Sequence, residues 1–124
     1  RVARRLERMF CRSYCARKES MKDRELLEFA AKAAGPDIFG EPGLWFRRLA
    51  GSHVTGWNPL TDDGDAFRLV VKLGLSLGPS FDGELAVCFA RQGADITEEY
   101  GSDPTAATRR SIVRAAAAIG KAFP

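Results

Sequence analysis

Residues 57–74 constrain the fold of this chain more than any other stretch, because they encode a turn, a helix start, an apolar face and a helix stop in one run. An Asn-Pro pair is typical of a turn, and Thr61 or Asp62 can then cap a helix. The following side chains form an apolar face at the i, i+3, i+4 and i+7 positions: Ala66, Leu69, Val70 and Leu73. Gly74 can adopt the left-handed conformation that ends many helices. This run predicts structure and specifies no chemistry.

Two further helices are predicted, one on each side of this run. The first spans residues 21–34, with Ser20 as its cap, and a Gly-Pro pair ends it. The second has Asp103 as its cap, a proline at its first position, where a missing N–H costs nothing, and an end near Lys121. Its alanines and Gly120 allow another element to approach closely.

Short apolar runs between the helices predict antiparallel strands. Residues 44–50 form an aromatic and apolar run, and residues 53–55 can pair with it in a loose hairpin. Residues 75–77 and 84–91 predict a second pair of strands. Residues 92–101 are polar and typical of a turn, although Ile96 and Tyr100 could pack back onto the protein.

The alternation of helices with short hairpins determines the predicted fold class. It lacks the longer βαβ pattern of parallel sheets, so we predict an α+β fold with three main helices packed on a small antiparallel sheet of short strands. This single domain covers residues 21–124, and residues 1–20 form a basic N-terminal arm or extension.

The net charge of +3 is unevenly distributed. Residues 1–20 hold seven Lys and Arg against two Glu, whereas the rest of the chain holds 12 Lys and Arg against 14 Asp and Glu. Apolar residues recur at helical spacing in the arm, and a basic amphipathic segment can bind a membrane surface, nucleic acid or an acidic partner. A solvated tail is the simpler interpretation. Met21, which directly follows the arm, is our candidate for the native start.

Local motifs for catalysis, metals and cofactors are missing. Asp62, Asp63 and Asp65 lack the spacing of a calcium loop, and helix capping accounts for them. His53 and the three cysteines do not match a zinc pattern, and Cys88 falls in an apolar strand where burial deactivates a thiol. The glycines form no nucleotide-binding fingerprint. We therefore expect a non-enzymatic protein with no cofactor and no metal. A small enzyme is a further alternative, because a site assembled from distant residues leaves no local motif.

Cysteine usage and hydropathy indicate the compartment. Three cysteines are an odd number without a disulfide framework, so we expect reduced thiols and no structural disulfide. No run approaches the roughly 18 apolar residues of a membrane span, and the N-terminal arginines are not followed by an apolar signal-peptide segment. A cytoplasmic location is the resulting expectation.

Two tryptophans and three arginines are the candidate binding residues: Trp45, Trp57, Arg109, Arg110 and Arg114. Tryptophan and arginine are enriched in interface hot spots, although core anchoring is the role that we favour for each tryptophan. The arginines give the last helix a basic edge that can meet phosphates or an acidic protein, and a solvated helix face is the alternative there.

Two blocks of the chain, residues 57–66 (WNPLTDDGDA) and 103–116 (DPTAATRRSIVRAA), resemble the NinX-like family of small phage and prophage proteins of unknown function. The resemblance runs through residues 21–123 and leaves the arm outside. It implies a phage accessory protein in a bacterial cytoplasm and carries over no catalytic residue. We therefore expect a binding protein that modulates a host or defence component. The alternative is a nucleic-acid-associated protein that uses the arm and the C-terminal helix.

Overall fold

The computed structural model describes residues 22–80, 85–89 and 96–123. The described elements are α1 (Asp23–Ala34), β1 (Ile38–Glu41), β2 (Leu44–Arg48), β3 (Val54–Gly56), α2 (Asp63–Leu73), β4 (Ser76–Pro79), β5 (Leu85–Phe89), β6 (Ile96–Glu99) and α3 (Pro104–Lys121). The predicted α+β class with three helices and short antiparallel strands is confirmed. The strands form two three-stranded sheets, ordered β1-β2-β3 and β4-β5-β6. The predictions for the basic arm and the Ser20 cap lie outside the described residues.

Helix α1 begins later than predicted, at Asp23 rather than Met21. Lys22 occupies the N-cap position in an extended conformation and makes no side-chain capping hydrogen bond. Asp23 and Glu25 lie in the first turn, where carboxylates interact favourably with the helix dipole. Gly35 follows the last turn with a φ of 97°.

The first sheet includes a strand that the sequence did not predict. β1 pairs with β2 in a tight hairpin whose turn consists of Pro42 and Gly43, with Glu41 opposite Leu44. Gly40 lies so close to the Leu44 carbonyl group that a Cβ atom would overlap it. The glycines and the proline, which suggested a break in the chain, are therefore the residues that allow the hairpin to close.

The start of α2 follows the prediction closely. Asp62 is the cap, since its side chain accepts a hydrogen bond from the Asp65 amide at 2.8 Å. In the preceding turn, the Asn58 side chain accepts from the Leu60 amide at 3.0 Å. Gly74 ends the helix in the left-handed conformation, with a φ of 63°. The predicted turn, cap and stop are confirmed, with Asp62 rather than Thr61 in the capping role.

The second sheet contains the other unpredicted strand, β6, in the segment that we expected to be a turn. Its alternate residues Ile96 and Glu98 are buried, at 3% and 6% exposure. Because Glu98, the second of these buried residues, is a carboxylate, the segment lacks the apolar alternation by which a strand is recognised in a sequence. The prediction was wrong because ion pairs from α3 compensate the charge of Glu98.

Helix α3 lies at the centre of the fold. It starts at Pro104, with Asp103 as its cap, and ends at Lys121, as predicted. It packs against α1, α2, β5 and β6, and every residue in 111–117 is buried. Its partners in the core are mostly small or aliphatic side chains: Leu26, Ala30, Ala31, Ala34, Trp57, Ala66, Leu69, Leu75, Cys88 and Ile96. Within the described residues, no helix combines the length and apolar character that crossing a bilayer requires.

Candidate functional site

Arg110, one of the predicted binding residues, lies in a cleft of about 590 Å³ between the start of α1, the end of β6 and the start of α3. Its Nη1 lies 2.9 Å from Asp23 Oδ1, and its Nε lies 3.2 Å from Glu98 Oε1. Glu99 and Asp103 also line the cleft. The cleft is therefore lined by four carboxylates and one guanidinium group, which pairs with two of them, and it is acidic rather than basic.

Arg114 is a buried residue and does not belong to a solvated edge. Its side chain is 6% exposed, and its Nη1 lies 3.2 Å from Oε2 of Glu98, whose side chain is 8% exposed. The same nitrogen donates to the Thr97 carbonyl oxygen at 3.2 Å. Glu98 thus joins β6 to two arginines of α3, and this network is structural.

Arg109 ties α3 to the start of α2. Its Nη1 lies 2.6 Å from Asp63 Oδ1, and its Nε donates to the Leu60 carbonyl oxygen at 2.9 Å. All three arginines of the predicted basic edge therefore interact with acidic side chains of the same chain. A phosphate group would have to displace a carboxylate from each of them.

The two tryptophans have the core-anchoring role that the sequence analysis favoured. Trp57 is 4% exposed and belongs to the hydrophobic core, and its amide donates to the Trp45 carbonyl oxygen at 2.9 Å. Trp45 is half-buried and packs against that core from β2. Its indole Nε1 is buried and has no hydrogen-bond acceptor among the residues that the structure describes.

The aspartates at the start of α2 make their contacts with other residues of the same chain. Asp62 caps the helix, Asp63 pairs with Arg109, and Asp65 accepts a hydrogen bond from the Asn58 amide at 2.9 Å. In the described part of the chain, no three His, Cys, Asp or Glu side chains converge where a metal ion could be held.

Cys88 lies in β5 and its side chain is fully buried. Burial raises the pKa of its thiol from 9.0 to about 11, because the thiolate loses its hydration. The group is therefore a poor nucleophile at neutral pH. His53, considered with the cysteines in the sequence, is exposed.

A solvent-facing apolar surface, which the sequence analysis did not identify, covers one side of the first sheet. We call it the outer face, and its residues alternate along the strands with those that point to the core. The outer face consists of Phe39, Glu41, Leu44, Phe46, Arg48 and Val54. Leu44 and Val54 are 57% and 49% exposed. The Phe39 and Phe46 rings pack with centroids 5.9 Å apart, and the Arg48 guanidinium group lies 4.7 Å above the Phe39 ring.

The signal for this surface was present in the sequence but ambiguous. Leu44, Trp45 and Phe46 are consecutive, so both faces of β2 carry large apolar side chains. Only the pairing of Phe39 with Phe46 distinguishes the two faces, and that pairing depends on β1, the strand that the sequence did not predict.

Compared with known protein families, with curated proteins and with solved structures, the chain gives no match.

Proposed function

We propose that this protein is a non-enzymatic binding protein that contacts another protein through the outer face. The supporting observation is the composition of that face. It combines an aromatic pair, an arginine and two half-exposed aliphatic side chains on one sheet. Aromatic residues and arginine are the side chains most enriched in the energetically important centres of protein interfaces.

The exposed groups of the outer face also indicate which groups its partner must present. Leu44 and Val54 offer apolar area, whereas Arg48 offers a positive charge held above an aromatic ring. A complementary protein surface carries an apolar patch with a carboxylate opposite Arg48. Such a surface would bury aliphatic groups that are now in water and pair a charge at the rim.

The resemblance to NinX-like proteins supplies the setting of this proposal. Proteins of that kind are phage and prophage accessory products, so the partner is a host or defence component in a bacterial cytoplasm. The aspartates at the start of α2 and the arginines of α3 are engaged in capping and ion pairs within the chain.

A photo-crosslinking amino acid at position 54 tests this proposal in the full-length protein. The partner crosslinked in lysate from phage-infected bacteria is identified by mass spectrometry, purified and titrated against the unmodified protein. Leu44→Glu and Val54→Glu should each weaken binding at least tenfold. Val71→Glu is the matched control, because Val71 is an equally apolar side chain, 67% exposed, on α2.

The controls determine how the result is interpreted. All three variants should keep the melting temperature of the parent, since each substituted side chain is largely exposed. The proposal fails if nothing crosslinks at position 54, if the outer-face variants bind as well as the parent, or if Val71→Glu weakens binding as much as they do.

Nucleic-acid binding remains the second candidate, because the arm holds seven Lys and Arg against two Glu. The basic edge of α3 lends it less support than expected, since Arg109, Arg110 and Arg114 are paired with carboxylates. Binding through the arm would weaken steeply with salt as counterions are released. Replacing Arg4, Arg5 and Arg8 by alanine should then reduce DNA or RNA binding, and unchanged binding would exclude the arm as the contact.

A further inference from the structure

A second cavity, of about 180 Å³, lies between the first sheet and α2, away from the acidic cleft. Four cationic side chains and two carboxylates line it: Arg47, Arg48, Arg68, Lys72, Asp37 and Asp65. Trp57 and Leu69, both buried, add apolar walls. The lining residues therefore carry a formal excess of two positive charges, one of them from Arg48, which also belongs to the outer face. Residues 21–124 as a whole are slightly acidic.

Asp65, one of the two carboxylates already counted, is engaged by groups around the cavity. Its Oδ2 accepts from the Asn58 amide at 2.9 Å, and its Oδ1 accepts from Arg68 Nη2 at 2.7 Å. The side chain is 5% exposed. This buried carboxylate thus accepts hydrogen bonds from one arginine and a backbone amide, and it holds Arg68 at the wall of the cavity. Arg68 Nη2 also lies 3.8 Å from Asp62 Oδ2.

The Nε–H group of Arg47 is a hydrogen-bond donor to which no neighbouring side chain in the described part of the chain supplies an acceptor. The Nε atom lies 3.8 Å from Asp65 Oδ1, which is beyond hydrogen-bond distance. This nitrogen is buried and has no hydrogen-bond acceptor within the described residues. Buried donors are nearly always paired, so a ligand that brings an acceptor into the cavity would satisfy this one.

The remaining two cations are accessible to a solute. Lys72 is exposed, and its Nζ lies beside Gly35, 3.4 Å from where a Cβ atom would be. Arg48 is also exposed and contacts the Phe39 ring. Neither side chain forms an ion pair with another of the described residues. Both can turn toward an anion that enters the cavity.

We propose that this cavity binds a phosphate dianion, either free phosphate or the monoester of a small molecule. A phosphate monoester carries a charge of about −1.5 to −2 at neutral pH, which matches the excess of two positive charges. Guanidinium groups present paired N–H donors to phosphate oxygens, and an ammonium group adds a point charge. Arg47, Arg68 and Lys72 supply both kinds of group. A single carboxylate would leave half of the positive charge uncompensated.

Titration with inorganic phosphate, followed by nuclear magnetic resonance of the ¹⁵N-labelled full chain, tests the proposal. Ionic strength is kept constant with chloride. We expect saturable shifts of the Arg47 Nε–H signal and of the amides of Arg68 and Lys72. Glycerol 3-phosphate in a parallel titration distinguishes the two sources: tighter binding than phosphate identifies an ester, and weaker binding identifies free phosphate.

Variants that remove one positive charge at different places distinguish a specific phosphate site from general attraction to a basic surface. Lys72→Met should weaken phosphate binding at least tenfold, whereas Lys121→Met, which removes the same charge at the exposed end of α3, should leave the dissociation constant unchanged. Arg48→Gln is a second variant at an exposed position and should weaken binding as well. The proposal is overturned if chloride alone produces the same shifts or if Lys72→Met and Lys121→Met bind phosphate equally.

The proposal of this phosphate site and the proposal of a protein contact at the outer face can be disproved independently. Val54→Glu alters the outer face and leaves the cavity lining intact, so it should not change phosphate binding. Lys72 is not a residue of the outer face, so Lys72→Met should not change binding to the crosslinked protein.

Discussion

Gly120 on α3 lies directly against the backbone carbonyl group of Phe29 on α1, so closely that a Cβ atom at position 120 would overlap the carbonyl oxygen and crowd the Ala33 amide nitrogen. The facing surface of α1 is built from small residues, among them Ala30 and Ala33, which are buried. The two helices therefore approach at a distance that only glycine permits here.

Gly120→Ala should destabilise the protein by about 2 kcal/mol or more, because the overlap is with backbone atoms that cannot rotate away. Helix propensity alone would predict a gain of about 1 kcal/mol for this substitution. Urea unfolding followed by circular dichroism measures whether the substitution raises or lowers the free energy of unfolding. Gly64→Ala is the matched control in α2, where the nearest atoms belong to the flexible side chains of Arg68 and Asp62. It should be neutral or stabilising.

Trp57→Ala should lower the free energy of unfolding by about 3–5 kcal/mol, since it empties a large volume in the core. Val54→Ala, at a half-exposed position, should change it by less than about 0.5 kcal/mol. Chemical denaturation of both variants provides the comparison. An unchanged melting temperature for Trp57→Ala, combined with lost partner binding, would make Trp57 a recognition residue and contradict its placement in the core.

Arg114→Leu should cost about 3 kcal/mol, because it leaves the buried Glu98 carboxylate with less compensation. Asp63→Asn, which weakens an ion pair whose acidic partner is 73% exposed, should cost less than about 1 kcal/mol. Thermal unfolding of the two single variants distinguishes them. Equal losses would mean that the Arg114 pair is no more important than the surface pair.

Cys88 should resist alkylation in the native protein. With its pKa at about 11 instead of 9.0, the thiolate fraction at pH 8 falls about 100-fold. Mass spectrometry after iodoacetamide treatment should therefore find Cys88 unmodified at pH 8 and modified once urea unfolds the chain. The same shift in pKa determines how stability depends on pH, because the folded state favours the protonated thiol. Its stabilising contribution is complete below pH 9 and is lost as the pH rises through about 11. Rapid native labelling at pH 8 would contradict the burial of this side chain.

The sequence predicted best where local chemistry determines the backbone. The Asn-Pro turn, the Asp62 cap and the Gly74 stop of α2 act within a few residues of one another, as do Asp103 and Pro104 at the start of α3. Each of these signals has one structural meaning, so no knowledge of distant contacts was needed to place the two helices.

The prediction failed where a residue depends on a distant partner. β6 carries Glu98 at a buried position, and only the arginines of α3 make a strand tolerable there. Arg114 was expected on a solvated face, but α3 is enclosed on several sides and its arginine is paired inside. The outer face and the phosphate cavity are likewise assembled from separate elements, which no local pattern records.

The central position of α3 has a consequence for synthesis of the protein on the ribosome. α1 and the first sheet leave the exit tunnel well before α3, yet Gly120 and Arg110 of α3 are what α1 packs against and pairs with. The apolar side of α1 therefore stays uncovered until the ribosome has released α3. A nascent chain that ends before Pro104 would lack α3 altogether, and its core would be incomplete.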